Sequence, residues 1–172
     1  MQAGWRIGSI FGIPIYIDSS WLVIITLMTV ANGLEFATRF ANQLPEVLAF
    51  SAGLAMALLL FGSVLLHELG HSLAARSQGI QVNSITLFIF GGIAAIDRES
   101  KTPEEAFQVA IAGPAVSFML FVLLAVVGKF LPDFSFLSLL KLLVLDLSRI
   151  NLVLGLFNLI PGLPLDGGQV LK

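Results

Sequence analysis

The chain has 172 residues and a formal charge of −2, with 57% hydrophobic and only 12% charged residues; its mean hydropathy is +0.96. That length fits one domain, the near-neutral charge gives no reason to expect a nucleic-acid partner, and the composition points to a polytopic membrane protein in place of a soluble core. There is no cysteine, which excludes disulfides, thiolate metal sites and thiol nucleophiles.

In chain order, the stretch 5–17 is apolar but too short and too rich in Gly and Pro for a spanning helix or a signal peptide, and reads as a membrane-surface strand or hairpin. Asp18, Ser19 and Ser20 can cap a first transmembrane helix over 19–34, with Trp21 near the interface. A polar loop holding Glu35, Arg39, Pro45 and Glu46 turns the chain into a second helix over 47–77, whose first twenty residues, Val47 to Leu66, are uncharged. From 81 to 97 the period changes. Ile85, Leu87 and Ile89 alternate with Thr86, Phe88 and Phe90 before Gly91-Gly92, which argues for a β-hairpin. Either its Ile85–Phe90 edge binds an extended peptide as an added strand, or the strand pairs with the N-terminal segment. Thr102, Pro103 and Glu105 then form a helix start, and the helix over 103–128 contains Gly113-Pro114, a pair that either loosens the helix and lets a neighbour approach closely or is only a packing feature. A last helix over 136–160 carries Lys141 and the pair Asp146/Arg149, spaced for an interfacial ion pair. It ends in Asn158-Leu159-Ile160-Pro161-Gly162-Leu163-Pro164-Leu165-Asp166-Gly167-Gly168. That run cannot stay helical, and irregular backbone at membrane depth is tolerated only where it is buried or lines a cavity. The fold class expected is therefore all-α and polytopic, with about four transmembrane helices and a small membrane-associated β-sheet or hairpin.

Chemistry concentrates at His67-Glu68-Leu69-Gly70-His71. On a helix, residues i and i+4 share a face, so two imidazoles aim at one point, and Glu68 is placed to take a proton from a metal-bound water. These are the only two histidines, so a third protein ligand is expected to be a carboxylate. Of the eleven acidic residues, Glu68 is assigned as base, Asp146 has Arg149, and eight lie in polar loops or at helix starts. Asp166 alone sits without a local partner in an apolar, broken segment, and Asp97 is the runner-up. Asn151, Leu154 and Asn158 share a helix face. Their amides either donate to a substrate carbonyl or serve as interhelical glue.

The pairing of His-Glu-Leu-Gly-His at 67–71 with Asn158, Pro161, Pro164, Leu165, Asp166 and Gly167 resembles the site-2 protease family of intramembrane zinc metalloproteases. Trp5-Arg6-Ile7-Gly8 with Gly12-Ile13-Pro14 is similar to the start of its bacterial and archaeal branch. The resemblance implies one zinc ion per chain held by His67, His71 and Asp166, with Glu68 as base. It further implies that Gly91, Gly92 and the strand with Phe88 and Phe90 help position substrate, and that Asn158 lies near the scissile bond. The implied partners are a transmembrane protein substrate and the lipid bilayer. The implied location is the cell membrane, multi-pass, with the site toward the cytoplasm, although five Lys/Arg on that side against four outside is too small a margin to set orientation. Members of that branch usually continue into further helices and often a regulatory domain, whereas this chain ends at Lys172, so the resemblance implies a truncated catalytic core. A homo-oligomer is neither required nor excluded. Two rival classes are a metal-ion transporter or channel using His67, His71 and Asp166, and an inactive scaffold with a structural zinc.

Overall fold

The computed structural model describes residues 4–41, 44–98, 100–132 and 135–160. Among them the chain forms β1 (Trp5–Ile10), β2 (Ile13–Ile17), α1 (Ser20–Arg39), α2 (Glu46–Ser77), β3 (Val82–Phe88), β4 (Gly91–Ile96), α3 (Pro103–Phe130) and α4 (Ser135–Asn158). The apolar N-terminal stretch is thus a hairpin of two strands. Phe11 and Gly12 in its two-residue loop have φ of +51° and +77°, the left-handed pair found in type I′ turns, and glycine adopts it without strain. Arg76 at the end of α2 donates to the Phe11 carbonyl at 2.6 Å and pins this turn.

The four strands form one sheet in the order β1-β2-β3-β4. β3 runs parallel to β2, with Ile15 opposite Ile85, and antiparallel to β4, with Leu87 opposite Gly92. This corrects the expectation of a peptide-binding edge at Ile85–Phe90: β3 is occupied on both sides, through the pairing with the N-terminal segment that was the alternative. The edges of the sheet are β1 and β4.

α1 continues to Arg39, five residues past the expected end at Leu34. The charged residues there do not stop it because Phe36, 2% exposed, is held in an apolar cluster with Ala49, Ala52 and Met56 of α2 and Leu139, Leu143 and Leu147 of α4. Burial of a phenylalanine there outweighs the polarity of Glu35 and Arg39, which both stay exposed. At the start of α1, Asp18 accepts from the Ser20 amide at 2.9 Å. The Ser20 side chain and backbone bonds hold its carboxyl below the ordinary value of 3.8. α3 starts with Thr102 accepting from the Glu105 amide at 3.2 Å, while the Glu105 carboxylate reaches back to the Lys101 amide at 2.8 Å.

Among the described residues, α1, α2 and α3, of 20, 32 and 28 residues, are long and apolar enough to cross a membrane. At 1.5 Å per residue even α1 covers about 30 Å. Their outward faces carry large apolar side chains, including Leu27 and Val30 of α1 and Met119, Val122 and Leu123 of α3, which lipid solvates and water does not. α4 differs, since Lys141, Asp146 and Arg149 lie within it; Arg149 pairs with Asp146 at 2.8 Å. A second apolar cluster joins Ile13, Ile15, Val82 and Ile85 of the sheet to Leu69 and Ala75 of α2, so the sheet packs directly on the turns that carry the histidine motif.

Candidate metal centre and substrate cleft

His67 and His71 stand one turn apart on α2, with their Nε2 atoms 3.2 Å from each other. Each ring is oriented through its other nitrogen. His71 Nδ1 donates to the Val109 carbonyl at 2.7 Å. A carbonyl only accepts, so the proton sits on Nδ1 and Nε2 presents its lone pair. His67 Nδ1 lies 2.8 Å from the Ser117 hydroxyl, which accepts in the same sense when His67 takes this tautomer. Two ligands of a tetrahedral zinc at about 2.0–2.1 Å stand about 3.3–3.4 Å apart, so the two histidines fit such an ion. α3 makes room for this: a Cβ on Gly113 would lie 2.1 Å from His71 Nε2.

Glu68 projects toward the sheet and lies on β4, where a Cβ on Gly92 would be 2.5 Å from Glu68 Cγ. Glu68, both histidines, the β3–β4 turn and the end of α4 border a cavity of about 700 Å³. Phe88, Phe90, Gly91 and Gly92 all line it, and the two phenyl rings meet edge to face with centroids 6.0 Å apart. Asn158 also lines it, and its amide donates to the Leu154 carbonyl at 2.9 Å. Asn151 does not join Asn158 there. It is fully buried and donates to Ser63 Oγ and the Leu147 carbonyl, both at 2.9 Å, which is the interhelical glue role.

Asp97, the runner-up ligand, accepts from Asn83 at the far end of the hairpin. Among the described residues no group of three His, Cys, Asp or Glu is placed to hold a metal ion. Asp166, with Pro161, Pro164, Leu165 and Gly167, lies outside the described residues. Sequence reasoning missed Ser117 and the Val109 carbonyl, because a lone serine in an apolar helix and a backbone oxygen carry no sequence signal for a metal centre.

Residues 55–145 match Peptidase family M50. A Synechocystis sp. protein provisionally named a zinc metalloprotease is 55% identical over 173 residues, covering 100% of this chain and 44% of the relative. The zinc metalloprotease MJ0392 of Methanocaldococcus jannaschii is 37% identical over 176 residues, covering 100% of this chain and 45% of the relative. The chain therefore spans less than half the length of these two relatives. The structure of the site-2 protease from Methanocaldococcus jannaschii aligns with a TM-score of 0.69 and 32% identity over 98% of this chain and 69% of that one. A motif helix flanked by this sheet, matched in sequence and in fold, leads to one conclusion: the chain belongs to peptidase family M50 and has the site-2 protease fold.

Proposed function

We propose that this membrane protein is an intramembrane zinc metalloendopeptidase that hydrolyses a peptide bond in or near a transmembrane segment of a membrane-bound substrate. The observation that carries the reading is the convergence of the two histidine Nε2 atoms, 3.2 Å apart, beside Glu68 in a cleft bordered by β4. In this reading His67, His71 and Asp166 hold one zinc ion per chain. Bound there, zinc would polarise the scissile carbonyl and acidify a water molecule.

The chain's own groups do the rest. Glu68 accepts the proton of the attacking water and passes it to the leaving amine. The Asn158 amide donates to the carbonyl oxygen as negative charge develops on it. A helical substrate hides its carbonyls in internal hydrogen bonds, so the segment to be cut must first unwind, and the open edge of β4 offers backbone partners for the extended form. Gly91 and Gly92 keep that edge free of side chains beside Glu68, and Phe88 and Phe90 supply an apolar wall. All four helices span the cell membrane, the site faces the cytoplasm, and the process served is regulated intramembrane proteolysis.

Metal stoichiometry in detergent tests the ligand set without a known substrate. About one zinc per chain is expected, lost in His71→Ala and in Asp166→Ala. Zinc retained in Asp166→Ala overturns the third ligand. Glu68→Gln separates proteolysis from metal transport, since it abolishes cleavage with zinc retained, whereas a transporter has no particular need for Glu68.

A further inference from the structure

Ser72 is the one cleft residue whose chemistry is not yet used. It is 1% exposed, lines the cavity, and its Oγ has no hydrogen-bond partner among the described residues. A buried hydroxyl at the cavity wall with no partner among the described residues is unfavourable in the substrate-free protein, and such groups call for a role.

Its position suggests one. Ser72 follows Glu68 by four residues and so lies on the same face of α2, about 6 Å further along the axis. β4 advances in the same direction. A Cβ on Gly91 would touch Val64 at 4.0 Å and one on Gly92 would meet Glu68, and Ala94, which also lines the cavity, comes two residues later. Two residues of strand cover about 6.6–6.8 Å, close to the rise from Glu68 to Ser72, so an extended segment that has one residue at Glu68 reaches the height of Ser72 two residues later. A peptide laid along the open edge of β4, with its scissile bond at Glu68, brings the backbone two residues away to Ser72. The walls there are small: Ala75, Ala94 and Ala110 line this end of the cavity.

We propose that Ser72 is a substrate-positioning residue whose hydroxyl pairs with the substrate backbone two residues from the scissile bond, in a subsite that takes small side chains. This rests on the peptidase reading, but part of its test does not. Ser72→Ala removes a buried hydroxyl that has no partner among the described residues, so the substrate-free protein is expected to gain about 2–4 °C in Tm with zinc content unchanged. A structural role for Ser72 predicts a loss instead. In the Glu68→Gln background, Ser72→Ala is expected to weaken binding of an extended transmembrane peptide about tenfold, with Ser72→Thr restoring most of it. In active protein, cleavage of a peptide library is expected to lose its preference for small residues at that subsite when Ala94 or Ser72 is changed. A lower Tm in Ser72→Ala, or unchanged peptide binding, overturns the role of Ser72. Failure of Glu68→Gln protein to bind any peptide overturns the peptidase reading itself.

Discussion

From Glu46 to Ser63, α2 packs against α1 and α4 through small and apolar side chains, and backbones approach so closely that a Cβ on Gly53 would stand 2.6 Å from the Thr29 carbonyl. From Val64 to Ser77 the same unbroken helix meets the sheet and α3 instead, and its contact residues include His67, Glu68, His71 and Ser72. Both halves use glycine to bring elements together. Gly53 in the first half and Gly70 in the second both meet the backbone of a neighbouring helix, but in the second half Gly113 and Gly92 also make room for the His71 ring and the Glu68 side chain. One half is therefore given over to helix packing, while the other gathers His67, Glu68 and His71 beside a cleft.

The comparison is tested most severely at Glu68. Glu68→Gln is expected to reduce hydrolysis about 10²–10⁴-fold, the usual contribution of a general base, with zinc content and melting temperature close to wild type; a fully active variant would remove the base from the second half. Next come the two glycines. Gly53→Ala is expected to cost about 1–3 kcal/mol by overpacking, read by thermal or denaturant unfolding, with zinc binding kept. Gly113→Ala is expected to displace His71 and lose zinc at equal protein yield. If the two variants behave alike, the halves are not functionally distinct.

The two buried serines give a finer contrast. Ser117→Ala removes the partner of His67 Nδ1 and is expected to weaken zinc binding about 10–100-fold, measured by competition with a chelator. Ser63→Ala removes one of the two acceptors of Asn151 and is expected to cost about 1 kcal/mol of stability with zinc affinity unchanged. The smallest effect is at Asp18. Its carboxyl titrates below the ordinary 3.8 because Ser20 bonds the charged form. This stabilisation is present above the unfolded value and is lost as pH falls through the folded one. Melting temperatures of wild type and Asp18→Asn are expected to differ near neutral pH and to converge in acid.

Much of this was readable in one dimension. Helical spacing alone puts His67 and His71 on one face, the apolar runs alone indicate α2 and α3, and the change to period two alone indicates a strand at β3. The end of α1 was not readable, because Phe36 in its last turns is buried in an apolar cluster assembled from α1, α2 and α4. Nor was the free edge of the sheet. Alternation reports that Ile85–Phe90 is a strand but not who its neighbours are, and the parallel pairing with Ile15–Ile17 that closes that edge is a long-range contact.

By itself the sequence determined the chemistry available: two histidines, one carboxylate beside them, no thiols, and a solvent that must be largely lipid. Only the tertiary structure decided how those groups are aimed. Ser117, the Val109 carbonyl, Gly113 and Gly92 come from α3 and β4, and they orient two rings and make room for them and for one carboxylate on α2. Spacing along one helix sets which side chains share a face, but the orientation of an imidazole depends on what its second nitrogen meets, and that partner is supplied by another element.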